Sequence, residues 1–414
     1  MKLLPIFLFV ALLVSCSKEP NHAAGLLDGE QRFLIVNTFD AINKMPTVPH
    51  ERTRNRELAK MVDTLIESKE YELAEQFIEK IENWRKQQKQ VQLATAYFKE
   101  GIVQKAEILI QQVEAIAYKI TSLKSAEPQL SDAERVFLEQ YDDFRVDRIK
   151  VALSAYYLEK DEKVKSEDWS KNVLPTEQAD FIKLKAFALV GEDYEAAIII
   201  NDMLATGETF EGKCAAIDGY VALYSYYYDD EAKRTELAEK ILLYTKTLPI
   251  MYRVEWLHKM AVSAYDFNDT INAERFFNEA AALISTVSLG HRMYFPLKSS
   301  NITTAFTIGK EEAAAVQAVD LRNKYNEIKT SIFNIYRADL LIACAEAFMA
   351  VGNEDASYTA YLDAIDQAGV NPNSRPRVED LTIIVQSLIR NDVVLSEEIT
   401  TKLVSLSDSV DTPW

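Results

Sequence analysis

The sequence predicts an all-α fold, a solenoid of stacked helical hairpins, and three observations carry that expectation. From about residue 31 onward apolar residues recur at three- and four-residue spacing, the period of one helix face, with no strand-like alternation between them. Short polar turns break this pattern at intervals of roughly 30 to 45 residues, the range of helical-hairpin repeats. Glycine and proline are scarce, 11 of each in 414 residues. Ala, Leu, Glu and Lys dominate the body, a usage that favours helix over strand or disorder.

Residues 1–15 have the layout of a cleaved export signal. Lys2 gives a short positive start, Leu3 to Val14 is an apolar run broken only by Pro5, and Ser15 is the small residue of a cleavage site. The run is too short and wrongly flanked to be a spanning helix. Its ending, Leu13-Val14-Ser15-Cys16, resembles the lipobox of bacterial lipoproteins. That resemblance implies that Cys16 is acylated, palmitate included, and becomes the first residue of the mature chain. One acyl chain anchors only marginally, at about 0.8 kcal/mol per buried CH₂, and lipoproteins of this type carry two or three. Ser17 stands where the inner-membrane retention signal places Asp, so the resemblance implies a lipid-anchored protein of the cell envelope, on the periplasmic face of an outer membrane. Residues 16–30 read as the lipidated cysteine and a polar tether.

The repeat array is expected over residues 31–370. Leu58, Ala59, Met61, Val62 and Leu65 begin one helix, Ser68-Lys69-Glu70-Tyr71 makes the turn, and Leu73, Ala74, Phe77, Ile78 and Ile81 build the second. The next unit repeats this with Leu93, Ala94 and Tyr97, a turn at Gly101, then Ala106, Ile110 and Val113. Ala74 to Ala106 is 32 residues. Phe187-Ala188 with Gly191-Glu192-Asp193-Tyr194 and Ala197 carries the same turn with one extra residue. Leu257, Met260, Ala261 and Ala264 lead through Asn268 to Ala273, Phe277 and Ala280. Leu341, Cys344, Ala345 and Phe348 lead through Gly352 to Ser357, Tyr361 and Ala364. Weaker pairs fall around 152–166, 220–243 and 302–321. Over residues 50–370 these units resemble the tetratricopeptide (TPR) family, which implies a right-handed α-solenoid of TPR-like hairpins. Ala74, Ala106 and Ala273 are expected where helix axes cross closely, because a larger side chain would force the hairpin open.

After the break at 370–378, Leu381–Ile389 and Ile399–Leu406 are expected to pair as capping helices, with a tail, over residues 371–414. They would cover the face left exposed by the last repeat. Ser131-Asp132-Ala133-Glu134 has the spacing of a capping box and marks a further helix start.

The formal net charge is −18, and loss of Lys2 with the signal takes the mature chain to −19. No Lys/Arg cluster stands out in the sequence, which argues against a nucleic-acid partner and leaves the lipid as the membrane link. Cys214 and Cys344 lie in apolar helical patterns, where cysteine acts as a small hydrophobe. An envelope disulfide between them stays open but needs two distant repeats to meet.

No phosphate loop, GxSxG elbow or HExxH occurs, so the chain is expected to be no enzyme and to need no cofactor and no metal. Glu255-x-x-His258 is half of a helical di-iron motif without its second half, and a packed histidine is the expected alternative. Asp229-Asp230-Glu231 and Asp266-x-Asn268-Asp269 fit helix-start chemistry better than a calcium loop. Tyr220, Tyr224 and Tyr227 share one helical face, while Tyr226 and Tyr228 point elsewhere and suit a contact surface. Tyr265 and Asp266 end a first helix, where the TPR resemblance implies a concave groove, with Glu255, His258 and Val262 in comparable places. Tyr226, Tyr228, Tyr265 and Asp266 are therefore the candidate partner-binding residues. The function expected is a non-catalytic, lipid-anchored scaffold or adaptor for other envelope proteins or peptides. The alternative is a glycan- or peptide-binding lipoprotein that serves an outer-membrane transporter.

Overall fold

The computed structural model describes residues 25–126, 129–171, 173–286 and 288–414. Cys16, the expected signal (1–15) and most of the expected tether (16–30) lie outside them. The described residues are all-α, with twenty α-helices and no strand. Eighteen of the helices form nine antiparallel hairpins. The first three are α2 (Thr47–Glu67) with α3 (Tyr71–Ile78), α4 (Arg85–Lys99) with α5 (Val103–Ala126), and α7 (Asp143–Glu159) with α8 (Lys163–Ser170). Next come α9 (Pro175–Ala188) with α10 (Tyr194–Thr206), α11 (Phe210–Tyr226) with α12 (Glu231–Thr245), and α13 (Ile250–Asp266) with α14 (Thr270–Thr286). The series ends with α15 (His291–Thr307) and α16 (Glu311–Ile328), α17 (Asn334–Ala350) and α18 (Glu354–Gly369), and α19 (Ser374–Arg390) and α20 (Glu397–Asp408). α1 (Gly29–Asn43) precedes the series, and the short α6 (Asp132–Glu139) stands before α7, started by the Ser131–Glu134 capping box.

One turn chemistry joins the two helices of nearly every hairpin. Lys69, Gly101, Asp161, Gly191, Asn268, Gly309, Gly352 and Asp392 all have positive φ. In seven of these turns the next residue returns its N–H to a carbonyl in the last turn of the first helix. Glu70 to Leu65, Ile102 to Tyr97 and Asn353 to Phe348 are examples, at 2.8–2.9 Å. This closes the helix end and reverses the chain in the fewest residues. The α11–α12 turn is the exception. Tyr228 stands at the equivalent position, and a bulky side chain strongly disfavours that conformation, so the turn is made through Asp229 and Asp230, the latter capping α12.

Small residues follow these turns at a fixed offset. Ala74, Ala106, Ser166, Ala273, Ala314 and Ser357 lie five residues after the turn residue, and Ala197 six after Gly191, whose turn is one residue longer. All seven are buried. Where the residue is serine, its hydroxyl donates to the facing helix, Ser166 to the Ser154 carbonyl at 2.8 Å and Ser357 to the Ala345 carbonyl at 2.9 Å. Ala273→Trp is expected to cost about 1–3 kcal/mol through overpacking. Urea unfolding measures it, and an unchanged midpoint would mean that α13 and α14 do not cross closely at this residue.

The nine hairpins close on themselves. The first helices α2, α4, α7, α9, α11, α13, α15, α17 and α19 each pack on the next, and α19 packs on α2. The second helices mostly stand apart from one another, so the first helices lie at smaller radius and form an inner wall. Nine axes spaced by about 9–10 Å give a perimeter of roughly 85 Å. Allowing for the helices' own width of about 10 Å, the opening is on the order of 15 Å across. α19 and α20 do cover the last repeat, but their far side is not solvent-facing, because α1 packs on both and α2 packs on α19.

A polar link spans every junction of the inner wall. Asp63–Lys89 (2.5 Å) joins α2 to α4, and the Tyr141 hydroxyl donates to Gln87 (3.3 Å) between α4 and the start of α7. Arg148–Glu177 (3.3 Å) joins α7 to α9, Lys183–Asp218 (2.5 Å) α9 to α11, and the Trp256 indole donates to Asp218 (2.8 Å) from α13. His258 meets Ser300 on α15, Arg292 reaches Asp339 on α17 (3.4 Å), and Ser387 donates to Glu346 (2.7 Å) across α17–α19. At the closing junction Arg56 pairs with Glu379 (2.9 Å), Gln386 donates to Thr64 and the Lys60 carbonyl (2.9 Å each), and Arg390 holds Glu67 (3.0 Å). Apolar contact between helices tolerates sliding. Directional links between partly buried groups fix how far each helix is shifted along its neighbour.

Candidate binding surface on the inner wall

A groove of about 670 Å³ crosses α9, α11, α13 and α15 on the inner wall. Phe187, Val221, Ala222 and Val262 form its apolar strip. On one side lies a ladder of alternating charge. Lys183 on α9 meets Asp218 on α11, and on α13 Lys259 stands 3.9 Å from Asp218 and 2.7 Å from Glu255. On the other side lie Ser225, Ser263 and Thr304, with the two serine hydroxyls 2.5 Å apart. Residues four apart on each inner helix recur on one face, so Asp218, Ala222 and Tyr226 on α11, and Glu255, Lys259 and Ser263 on α13, run as parallel rows.

His258 sits in the floor of this groove and is buried. Its ring nitrogens lie 3.1 Å from the Ser300 hydroxyl and 3.2 Å from the Asn301 side-chain oxygen. Burial pushes it down to about 4, against opposing pulls from Asn301 and Glu255, so it is neutral near pH 7. Among the described residues no group of three His, Cys, Asp or Glu side chains is placed to hold a metal. Cys214 and Cys344 are free thiols, pushed up by burial to about 11 and about 12. The acidic runs act in turns. Asp230 accepts from the Lys233 N–H, Asp269 from the Asn272 N–H, and Asn268 is the positive-φ turn residue.

The candidate contact residues do not converge. Tyr226 is exposed, with its ring against Gly191 in the α9–α10 turn. A Cβ at Gly191 would lie 2.6 Å from the Tyr226 ring. Tyr265 is 36% exposed and leans the other way, onto Gly309 in the α15–α16 turn. Asp266 is exposed beside it. These three lie on the rim formed by the turns, not inside the groove. Tyr228 is a correction. It is 1% exposed, stacks on Phe267 at 4.7 Å and donates to Asp269 at 3.0 Å. The chain has left the helix at Tyr227, so helical phase no longer predicts where residue 228 points. Tyr220 and Tyr224 are buried as their shared face implied, and Tyr227 packs edge-on against Tyr194 and Tyr226.

The groove's two ladders were only partly legible. Glu255, His258 and Val262 were placed on this side by register with the repeat. Lys183 and Asp218 carried no local signal, since their pairing joins residues 35 apart. No protein-family model, curated protein or solved structure matches the chain significantly.

Proposed function

We propose that this protein is a non-catalytic scaffold that holds an extended segment of another envelope protein along its inner wall. The observation that supports this is the groove across four successive inner helices. Its apolar strip is flanked by a ladder of alternating charge and by a row of hydroxyls. An extended chain presents side chains alternately to opposite sides and leaves backbone amides seeking partners. A strip with hydroxyls beside it meets both needs. TPR-like hairpins coiling with a right hand are the repeat class that such a wall suggests. Lipid anchoring at Cys16 in an outer membrane completes the proposal. The described chain enters the ring on the turn rim, where Leu26 N–H donates to the Ser68 carbonyl at 3.0 Å. Residues 17–24 span at most about 30 Å, so the anchor would turn this rim, with Tyr226, Tyr265 and Asp266, toward the bilayer.

The test is crosslinking and pull-down from membranes with the full chain, followed by affinity measurement on the captured partner. Ala222→Arg and Val262→Arg in the strip are expected to weaken binding by at least ~30-fold, the size of a true hot spot. Glu279→Lys, on the exposed face of α14, is expected to bind as the parent does. Equal binding by all three overturns the groove. Labelled palmitate should enter the parent and not Cys16→Ala, and its absence from the parent would remove the anchor. Capture of a glycan instead of a protein would favour the transporter-serving alternative.

A further inference from the structure

A concentration of positive charge lies away from the groove, at the rim where the inner helices begin. Arg52 on α2, Arg85 on α4 and Arg145 on α7 open into one cleft of about 750 Å³. Arg56 and Arg148 stand close enough to act electrostatically on Arg85. In a chain of net charge −18, five guanidiniums gathered from three successive helices need an account.

The charges are unevenly matched. Arg56 is held by Glu57 (2.7 Å) and Glu379 (2.9 Å), Arg148 faces Glu177 (3.3 Å), and Arg145 lies 3.4 Å from Asp142. Among the described residues, Arg52 and Arg85 have no carboxylate within ion-pair distance. The Arg85 guanidinium lies 4.7 Å from the centre of the Trp84 ring, and Arg148 lies 5.8 Å from the same ring. Such stacking orients a guanidinium without neutralising it. Half-buried and facing four other arginines, Arg85 is held below the usual guanidinium range, with burial the larger cause.

The other donors of the cleft are also unspent. Asn83 is 8% exposed, and its side-chain oxygen accepts the Arg85 N–H at 3.1 Å, leaving its amide NH₂ without an acceptor among the described residues. Trp84 is also buried, and its indole N–H has no acceptor among the described residues either. The start of α4 adds the positive end of a helix. On the acidic side, Asp142 is occupied in capping α7 through the Arg145 N–H at 2.9 Å, and Glu51 and Glu139 are exposed at the edge. Those two edge acids disfavour an extended polyanion.

We infer that this cleft binds a single oxyanion group, a carboxylate or phosphate, with Arg85 as its central ligand and Arg52, Arg145, Asn83 and Trp84 around it. A guanidinium fork matches either group with two parallel hydrogen bonds. A bound anion would offset the mutual repulsion of these guanidiniums.

The test titrates the full chain with sodium phosphate, sodium sulfate and sodium succinate at constant ionic strength, following melting temperature and tryptophan fluorescence. The parent is expected to show a saturable rise of several degrees with at least one of them, since a ligand of the folded state stabilises it. Tighter binding of phosphate assigns a phosphate ester, and tighter binding of succinate a carboxylate. Arg85→Met is expected to lose the response while melting no lower than the parent without anion, because its four neighbours no longer repel it. Arg52→Gln, an exposed position that leaves the packing intact, should weaken binding at least threefold. Arg390→Met, at the closing junction, should keep it. No saturable response in the parent to any of the three anions overturns the site, as does an unchanged response in both Arg85→Met and Arg52→Gln.

Discussion

A chain that begins at Pro46, and so lacks α1, is expected to lose the cooperative fold and not merely one terminal helix. α1 buries Leu34, Ile35, Phe39 and Ile42, and four such side chains contribute about 6–12 kcal/mol. That is comparable with the whole stability of a typical domain, about 5–15 kcal/mol. Phe39 stacks on Phe77 of α3 at 3.4 Å between ring centres, and α1 packs on α2, α19 and α20. It therefore fills the outer layer where the first and last hairpins meet. In an open array, removing an end helix costs one interface and leaves the remaining repeats standing. Here it also frees α19 and α20 from α1, so that closure rests on the packing of α19 against α2 and the polar links across it. Thermal unfolding should show a midpoint lower by roughly 10 °C or more, and small-angle scattering should show a larger radius of gyration. A shortened chain that melts within a few degrees of the parent, with unchanged dimensions, would show that closure contributes little.

Stability is also expected to fall as pH rises from 6.5 to 8, because of Asp380. This carboxyl is 3% exposed and accepts from the Asn371 amide at 2.8 Å. Burial, then the acids Asp339 and Glu379, push it up to about 8. The nearby bases Arg56, Lys60 and Arg292 are directed to Glu57, Glu379 and Asp339. A carboxyl whose folded pKa is raised binds its proton more tightly in the folded state. Its contribution is complete below the unfolded value near 3.8 and is lost as pH climbs through 8. At 1.36 kcal/mol per unit, the full swing is on the order of 5 kcal/mol, with about 2 of it between pH 6.5 and 8. His258 has the opposite sign. Its folded pKa is lowered to about 4, so it subtracts stability as pH falls from 6.5 toward 4. Above 6.5 it returns only about 0.4 kcal/mol, well below the opposite change from Asp380. Asp380→Asn keeps the shape and an acceptor for Asn371 while removing the titration. Denaturant unfolding at pH 6.5, 7.25 and 8 should give a falling series for the parent and a flatter one for the variant, which should also be more stable at pH 8. Parallel series would mean that Asp380 does not carry this dependence.

The hairpins were legible in the sequence because the signals that make them are local. A helix face repeats every three or four residues, a turn needs one residue in an unusual conformation, and a close crossing needs one small side chain. Gly101, Gly191, Asn268 and Gly352 announced their turns by residue type. Lys69, Asp161 and Asp392 adopt the same conformation without announcing it, because hydrogen bonding back to the helix compels it. Tyr228 was misplaced for the same local reason, since helical phase was carried two residues past Tyr226, the last residue of α11.

What the sequence by itself determined, then, is a train of nine helical pairs, five of the reversals (at Lys69, Gly101, Gly191, Asn268 and Gly352) and the small residues Ala74, Ala106, Ala197, Ala273 and Ser357 that follow them. Only the tertiary structure decided that the train closes. Closure depends on a small rotation between neighbouring hairpins, set by how their side chains interlock and added over nine steps, and no window of sequence contains that sum. The same is true of what closure and stacking bring together. Arg52, Arg85 and Arg145 are separated by 33 and 60 residues, Lys183 and Asp218 by 35, and Arg56 and Glu379 by 323. They become neighbours because stacking places the same end of each inner helix beside the next, so charges scattered through an acidic chain collect on one rim.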